Sequence, residues 1–359
     1  MTKMPERTRV VTGGVDTHAE LHVAAVIDEV GRVLGTESFE ASTRGYGRLL
    51  AWMRSFGELA DVGVEGTGSY GAGLDRYLSA QGVQVVEVVR PNRQKRRRRG
   101  KSDPLDAEEA ARAALNGEAS GASKAKTGAV ESLRALRVAR RGAVKARTQA
   151  ANSITALVVS APEDLRCRLA GLSTDKRAAL AARFRPGELT DPAEATKAAL
   201  RSVARRYRQL DAEIAELDKA MEPLVVAAAP AAMLAKPGVG PRVATALLVT
   251  AGDNPERMRS EAGFAALCGA SPVDASSGKQ TRHRLNRGGD REANSALWRI
   301  VQTRMRFDPR TQDYVERRTK EGKTKAEIVR CLKRYVAREI YKTLVCAARP
   351  AGTGLARAA

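Results

Sequence analysis

Residues 9–39 read RVVTGGVDTHAELHVAAVIDEVGRVLGTESF, and their apolar runs predict three β-strands. The strands run from Arg9 to Asp16, from Leu21 to Ile27 and from Val33 to Phe39. A short polar turn joins the second and third, and Gly31 in it can adopt a positive φ, as in a β-hairpin. The pattern then predicts a helix over 45–56, a strand over 62–65, a helix over 70–81 and a strand over 83–89.

Three antiparallel strands followed by alternating helix and strand is the order of the ribonuclease H-like fold. In such a sheet the first and fourth strands lie side by side. The sequence therefore predicts an α/β domain of this class over residues 1–120.

The middle of the chain predicts a helical coiled-coil segment, which we place at residues 121–225. Residues 116–128, rich in Gly, Ala and Ser, are typical of a linker, and a basic helix follows over 129–160. Shorter helices are expected between 157 and 191, before a long helix that starts at Asp191-Pro192. Its apolar side chains recur in steps of three and four, as in a heptad seam: Leu200, Val203, Tyr207, Leu210, Ile214, Leu217 and Met221. Its partner is either the 129–160 helix of the same chain or the same segment of another subunit.

The last region, residues 226–359, predicts a mostly α-helical domain. Thr324 and Glu327 have the spacing of a capping box at a helix start. Apolar residues then line one face at spacing four: Ile328, Leu332, Val336, Ile340 and Leu344. The closing helix should therefore pack into a core.

The composition indicates a polyanion as partner. Among 359 residues, Lys and Arg exceed Asp and Glu by 62 to 41, for a formal net charge of +21. Such an excess points to DNA or RNA rather than to a membrane, and no apolar run reaches the ~20 residues of a bilayer span. The N-terminus has no signal peptide, so we expect a cytoplasmic protein. The four dispersed cysteines and three histidines exclude a zinc cluster of Cys-x-x-Cys type.

Four carboxylates form the candidate metal site. Asp16 ends the first predicted strand and Glu65 ends the fourth, where a buried unpaired carboxylate is unfavourable unless a cation binds it. Asp103 and Asp106 lie three residues apart at a helix start, so both project from one face. Taken alone, Ser102 and Asp103 would more simply be capping residues. Together with Asp16 and Glu65, the pair predicts a site for divalent cations that can activate a nucleophile for phosphodiester chemistry.

Three groups of basic residues are candidates for nucleic-acid binding. The first precedes Asp103 directly, where an anionic backbone would have to lie beside the metal site. The second is a stripe on the 129–160 helix with few intervening acids, and the third surrounds a Ser-Ser-Gly turn. The groups are Arg93, Lys95, Arg96, Arg97, Arg98, Arg99 and Lys101; Arg134, Arg137, Arg141 and Lys145; and Lys279, Arg282, Arg284 and Arg287. A solvated charged surface is the alternative for the first two groups.

Two further turns have both a functional and a structural interpretation. A serine among the cations near residue 277 could attack phosphorus, although such turns are usually structural, and His283 is the one nearby candidate for a general base. The turn Pro237-Gly238-Val239-Gly240-Pro241 has the form of a helix-hairpin-helix turn whose amides could bind a phosphate. A purely structural tight turn explains it equally well.

With these motifs the chain resembles the DEDD transposases of bacterial insertion sequences related to the Piv site-specific invertase, which are bridge-RNA-guided recombinases. The resemblance covers nearly the whole chain and rests on six motifs. They are Gly14-Val15-Asp16-Thr17-His18, Val64-Glu65-Gly66-Thr67-Gly68-Ser69-Tyr70, Lys101-Ser102-Asp103-Pro104-Leu105-Asp106-Ala107, Pro237-Gly238-Val239-Gly240-Pro241, Gly269-Ala270-Ser271-Pro272 and Ser277-Gly278-Lys279.

The resemblance implies a RuvC-like N-terminal domain whose four acids, Asp16, Glu65, Asp103 and Asp106, bind magnesium or manganese. It also implies a C-terminal transposase domain whose serine, matched here by Ser277, becomes covalently joined to a DNA 5′ phosphate. Ser276 stands beside it, and Ser277 is preferred because it directly precedes Gly278-Lys279. The implied partners are donor and target DNA, a bridge-type guide RNA, and further copies of the chain in a dimer or tetramer at the bacterial nucleoid.

Two other functions remain open. A metal-only nuclease such as a Holliday-junction resolvase would use the four acids without the serine. A non-catalytic nucleic-acid scaffold would use neither. A proofreading exonuclease fits less well, because His18 stands where its second acid is expected.

Overall fold

The computed structural model describes residues 9–88, 102–117, 123–276 and 283–348, the side chains of 346–348 excepted. The chain divides into two compact units. The first contains the residues up to Lys126 and the segment Asn254–Gly263, and the second contains Thr127–Asp253 and Phe264–Ala347.

A five-stranded mixed sheet forms the centre of the first unit. Its strands are β1 (Val10–Thr17), β2 (Leu21–Asp28), β3 (Val33–Glu40), β4 (Glu58–Glu65) and β5 (Gln84–Val88), in the order β3-β2-β1-β4-β5. The pairs β1–β2 and β2–β3 are antiparallel, whereas β1–β4 and β4–β5 are parallel. The prediction that the first and fourth strands lie side by side is thus confirmed.

Within the described residues, the predicted strand positions agree with the structure to within one residue except in β4, and the predicted end of the fifth strand at residue 89 lies outside them. This strand begins at Glu58 rather than at the predicted residue 62. Its first half carries Glu58 and Asp61 and is only partly buried, so it lacks the apolar signal, yet Glu58 pairs with Val10 of β1. Between β2 and β3, Gly31 has φ +82° and the Asp28 carboxylate accepts from two turn amides, as expected of the predicted hairpin.

Helices cover both faces of the sheet. Helices α1 (Thr43–Arg54) and α2 (Ala72–Ala80) bury Leu49, Met53 and Leu74 against one face. Helix α3 (Asp103–Leu115) lies on the other face, where its Ala107 packs with side chains of β2.

Two glycines in neighbouring strands bring α3 close to the sheet. Gly14 of β1 and Gly63 of β4 are register partners. A Cβ atom on Gly14 would lie 2.2 Å from the Ala107 carbonyl oxygen, and one on Gly63 would lie 2.3 Å from that of Ala110. Any other residue at these positions would force the helix outward, so this glycine pair fixes the distance between α3 and the strand ends.

The second unit begins with a helical hairpin. Its arms are α4 (Gly128–Val159) and α7 (Pro192–Ala228), joined through α5 (Glu163–Leu169) and α6 (Thr174–Ala181). The heptad positions Leu200, Tyr207, Ile214 and Met221 of α7 are buried. Arg140 of α4 forms an ion pair with Asp218 of α7, and Arg147 forms one with Asp211, so the helices run antiparallel. The partner of the heptad seam is therefore the α4 helix of the same chain.

The remaining elements are short helices, one hairpin and three longer helices. They are α8 (Ala231–Leu234), α9 (Pro241–Ala251), α10 (Glu261–Leu267), β6 (Val273–Asp274), β7 (His283–Arg284), α11 (Arg291–Phe307), α12 (Pro309–Lys320) and α13 (Lys325–Ala348). The capping box of α13 is confirmed, since the Thr324 amide donates to Glu327 Oε2 at 2.9 Å and the Glu327 amide to Thr324 Oγ1 at 3.4 Å. The five residues at spacing four along α13 are buried as predicted. Among the described residues no helix has the length and apolarity needed to cross a membrane.

Candidate functional site

Asp16 and Glu65 end adjacent parallel strands and face the same side of the sheet. Side chains alternate along a strand, so each residue shares its face with the glycine two positions earlier, Gly14 or Gly63, against which α3 packs. Asp16 is buried, with 7% of its surface exposed, and Glu65 is half-buried. The Thr17 hydroxyl donates to the Glu65 carbonyl oxygen at 2.8 Å, which ties the two strand ends together.

The first turn of α3 supplies the other two acids. Asp106 is buried, whereas the side chain of Asp103 is 48% exposed. The side chain of Ser102, at the N-cap, makes no capping hydrogen bond. The hydroxyl of Ser102 therefore does not act as expected in the simple capping interpretation of this sequence.

His18 joins Asp16 and Asp103 in one compact group. Its Nε2 lies 3.1 Å from Asp16 Oδ2 and 3.5 Å from Asp103 Oδ2. One ligand atom from each of the three residues lies within 4.8 Å of the others. Sequence reasoning gave no role to His18, although its place two residues after Asp16 was the available signal. Glu65 and Asp106 are not members of this group of three.

The surroundings of Asp16 disfavour its charge. Burial raises the pKa of the Asp16 carboxyl above its ordinary value, and the neighbouring carboxylates of Asp106 and Asp103 raise it further, while His18 acts in the opposite direction. Several acids forced together in a partly buried place are stabilised by a cation that all of them can reach. Carboxylate oxygens are ligands for magnesium and manganese, and a neutral imidazole is a better ligand for the softer manganese. The donor set therefore fits a divalent cation.

A buried ion pair holds the loop that follows Glu65. Lys126 donates to the Thr67 carbonyl oxygen and to Asp75, and the side chains of Lys126 and Asp75 are 8% and 3% exposed. The Ser123 hydroxyl also donates to Asp75, at 2.7 Å. Residues 123–126 fall in the segment whose composition predicts a linker, but they belong to the first unit, where Lys126 supplies the buried counter-charge of Asp75. Lys126 is thus a residue of the site's support that sequence reasoning missed.

The predicted basic groups have different outcomes. The run Arg93, Lys95, Arg96, Arg97, Arg98, Arg99 and Lys101 lies outside the described residues. On α4, Arg134 is paired with Glu131 and Arg137 with Glu292 of α11. The expectation that too few acids neutralise this stripe is therefore wrong for these two. Glu131 lies three residues before Arg134 on the same helix, and Glu292 comes from a distant part of the sequence. Arg141 and Lys145 are exposed and form no ion pair with any described residue.

Ser277, Lys279 and Arg282 also lie outside the described residues, between the two strands of a short hairpin. In that hairpin Asp274 of β6 is the register partner of His283 of β7. The Ser276 hydroxyl and amide both donate to Asp274 Oδ1, and these bonds lower the pKa of the Asp274 carboxyl. Asp274, which sequence reasoning passed over, is thus the carboxylate that stands opposite His283 in this hairpin. Arg284 and Arg287 are exposed.

The turn at Pro237–Pro241 packs within the second unit. Gly238 has φ +84°, and a Cβ atom there would lie 3.1 Å from the Ile300 Cα of α11. The cavity beside it, of about 580 Å³, is lined by two acids, Asp218 and Glu222, and by two arginines, Arg242 and Arg299. The close approach of Gly238 to Ile300 supports the structural interpretation of this turn, and phosphate binding there stays a prediction.

Comparisons with known proteins match two parts of the chain to family models. Residues 13–161 match a model of a DEDD transposase domain, described as "Transposase". Residues 231–316 match a model described as "Transposase IS116/IS110/IS902 family". One curated relative, the "Insertion element IS110 uncharacterized 43.6 kDa protein" of Streptomyces coelicolor, is 36% identical over 89 residues. That match spans 24% of this chain and 22% of the relative, about a fifth of the relative's length.

Proposed function

We propose that this chain cleaves and rejoins DNA strands as the transposase of an insertion sequence, because two parts of it match transposase family models, one of them described for the IS116/IS110/IS902 family. The first unit would be a RuvC-like domain that holds divalent cations, and the transposase domain at 226–359 would supply a serine nucleophile. The observation that supports the proposal most is the group of Asp16, His18 and Asp103 at the end of β1. It lies inside the matched DEDD segment and combines a buried Asp16, whose pKa is raised, with the half-exposed Asp103.

The four acids would share the work of holding the cation. Asp16 and Asp103 reach toward one point from β1 and α3, and Asp106 is close enough to affect the pKa of Asp16. Glu65 would be the fourth ligand, since it ends the neighbouring strand on the same face of the sheet. When bound, magnesium or manganese would stabilise negative charge on the oxygens around the reacting phosphorus. His18 would orient the Asp16 carboxylate or serve as a further ligand.

The second half of the reaction would belong to Ser277. Its Oγ would form a bond to phosphorus while the bond from phosphorus to the 3′ oxygen breaks, leaving a 5′-phosphoserine and a free 3′ hydroxyl. The serine proton would pass to a nearby base and a proton would be delivered to the leaving oxygen. A 3′ hydroxyl from another strand would reverse these steps and release the serine. Ser276 is the alternative nucleophile, and its contact with Asp274 is typical of a residue that shapes a turn.

Targeting and assembly are parts of the same proposal. A bridge-type guide RNA would select donor and target DNA, and a dimer or tetramer at the nucleoid would bring two strands together. The net charge of +21 supports binding to nucleic acid of either kind. Sequencing of the RNA that copurifies with the protein from cells carrying its element tests the guide, since recovery of unrelated cellular RNA alone would contradict it.

A metal-only nuclease is the competing function, and one observation favours it. The group of Asp16, His18 and Asp103 comes entirely from the first unit. Such an enzyme would cut DNA without a covalent intermediate.

A strand labelled at its 3′ end separates the two functions. The proposed reaction joins that strand to the protein, so a labelled band with the mass of the protein should appear on a denaturing gel. Ser277→Ala should abolish both this band and strand exchange, whereas the matched control Ser276→Ala should keep them. Asp106→Asn should abolish cleavage altogether. Strand exchange by Ser277→Ala at the parental rate would contradict the serine mechanism, and cleavage without strand exchange or a covalent band in any protein, the parent included, would leave the metal-only nuclease.

A further inference from the structure

A basic cavity lies in the second unit, and His283 and Arg284 are among its lining residues. It has a volume of about 490 Å³ and is formed by the segments around β6–β7 and by α12 and α13. Six Lys or Arg side chains line it: Arg284, Arg318, Lys323, Arg330, Lys333 and Arg334. The volume is within the range of about 300–1,000 Å³ that is usual for small-ligand sites.

Glu327 is the one carboxylate among the described lining residues, so the six positive charges outnumber it. It accepts hydrogen bonds from the Thr324 amide at 2.9 Å and from the Thr324 hydroxyl at 2.8 Å, which hold it at the start of α13. These bonds lower the pKa of the Glu327 carboxyl, and the nearby charges of Lys323 and Arg330 lower it further. Within the described part of the chain, Arg284, Lys323 and Arg330 form no ion pair.

Lys333 is the buried member of the group, with 5% of its surface exposed. Its Nζ donates to Asn294 Oδ1 at 2.9 Å, and the amide nitrogen of Asn294 donates to the carbonyl oxygens of Cys268 and Gly269. The orientation of Asn294 is therefore fixed, and it fixes Lys333 in turn. An ammonium group has three N–H donors, and among the described residues Asn294 takes one.

Burial of this positive charge is unfavourable in the protein alone. Burial lowers the pKa of Lys333, and the neighbouring charge of Arg330 lowers it further. An anion in the cavity would supply both the missing acceptor and the missing counter-charge. The cluster is thus built to receive a negatively charged group.

The rim of the cavity has a different chemistry. Tyr335 and Leu285 line it, and they are 51% and 49% exposed. The Tyr335 ring packs edge-on against Tyr314, with ring centroids 5.7 Å apart, which holds its orientation. Exposed aromatic rings are stacking surfaces for unpaired bases.

We propose that this cavity binds one unstacked nucleotide of a nucleic-acid strand, with its phosphate at Lys333, Arg330 and Arg284 and its base against Tyr335. A free phosphate would leave the apolar rim unused. A base in a duplex is stacked and paired with the complementary strand, so it could not lie against the Tyr335 ring. The inference takes from the proposed function only that the chain acts on nucleic acid. It requires neither the metal site nor Ser277.

The test is a binding experiment on the full chain carrying Asp16→Asn, in EDTA, so that no cleavage is required. Single-stranded DNA, single-stranded RNA and duplex DNA of one sequence are compared by fluorescence anisotropy over a range of salt. Arg330→Gln and Lys333→Met should each weaken single-strand binding and reduce the slope of log affinity against log salt by about 0.7. Tyr335→Ala should lower the affinity for single strands about fivefold or more, with little change in the salt slope. Tyr335→Phe, which keeps an aromatic ring, should have the parental affinity. Lys342→Gln is the matched control, because Lys342 is exposed on α13 and does not line the cavity.

The strand used identifies the source of the nucleotide. If the cavity variants lose affinity for single-stranded DNA alone, the nucleotide belongs to a substrate strand. If they lose affinity for single-stranded RNA alone, it belongs to a guide. Either result supports the site. A photoreactive 5-iodouracil at the unpaired position should crosslink to Tyr335 and be found there by mass spectrometry. Parental affinity and slope in Arg330→Gln, Lys333→Met and Tyr335→Ala would overturn the proposal. The proposal would also be overturned if inorganic phosphate displaced the single strand and Tyr335→Ala had no effect, because the site would then bind anions only. Neither outcome changes the covalent-band test of the proposed function.

Discussion

Lys126 in the first unit and Lys333 in the second are both buried lysines, but their surroundings are opposite. The ammonium of Lys126 meets the carboxylate of Asp75, and both side chains are under a tenth exposed. The ammonium of Lys333 meets an amide oxygen and has Arg330 as its charged neighbour. A buried charge that is neutralised by its counter-charge has a structural role. A buried charge without a counter-charge favours binding of a ligand of opposite sign.

The acids around Asp16 show the same contrast in the opposite sign. They are held together by α3, whose backbone approaches Gly14 and Gly63 too closely for a Cβ atom. Their mutual repulsion persists because the packing of the sheet and helix imposes it. The first unit thus contains both kinds of buried charge, a completed pair at Lys126 and an incomplete group at Asp16.

The largest effect is expected from breaking the completed pair. Lys126→Met would leave Asp75 buried without its counter-charge and should lower the free energy of unfolding by about 3–5 kcal/mol. Urea denaturation followed by circular dichroism measures it. The double variant Lys126→Met, Asp75→Asn should recover part of the loss, and Arg48→Met, exposed on α1, should change stability little. A loss below about 1 kcal/mol for Lys126→Met would show that the pair does not stabilise the loop after Glu65.

Binding of a divalent cation to the acids around Asp16 should give the next largest change in stability. Manganese at about 100 times its dissociation constant should stabilise the protein by about 2.7 kcal/mol, since it binds the folded state. Thermal melting with increasing manganese or magnesium after EDTA treatment measures this gain. Asp16→Asn should abolish it and Glu37→Gln, exposed on β3, should keep it. His18→Ala should weaken manganese more than magnesium if the imidazole is a ligand, and an equal loss for both ions would assign His18 to orienting Asp16.

Disturbing the glycine contact should have a somewhat smaller effect on stability. Gly14→Ala places a methyl group 2.2 Å from backbone atoms of α3, and overpacking of this kind costs about 2 kcal/mol. The displaced helix would carry Asp103 and Asp106 away from Asp16, so the stabilisation by manganese should fall as well. Gly68→Ala is the matched control, because no atom lies within 4 Å of a Cβ there. If the Gly14→Ala protein were destabilised but bound manganese normally, the packing of α3 against Gly14 would not be required for the metal site.

The sequence predicted what depends on neighbouring residues and missed what depends on distant ones. Alternation and turns gave the strands of the sheet, and the three-residue spacing of Asp103 and Asp106 put both in one turn of α3. The partners of Lys126 and Arg137 could not be found this way, because Asp75 and Glu292 are 51 and 155 residues away. His18 follows β1 as an ordinary polar residue, and only the position of α3 against Gly14 brings Asp103 to it.

Removing the unpaired charge of Lys333 should have the smallest effect on stability. The sign of that change shows whether the charge is neutralised in the folded protein. Lys333→Met leaves an apolar chain of similar length in the same place, so in the absence of nucleic acid it should be within about 1 kcal/mol of the parent, or more stable. Because the folded pKa of Lys333 lies below its ordinary value, the unfolded chain binds more protons between the two values. The stability of the parent should therefore rise with pH in that window, and the advantage of Lys333→Met should shrink there. Urea denaturation of both proteins from neutral to alkaline pH measures the difference, and a loss as large as that of Lys126→Met would mean that Lys333 has a counter-charge after all.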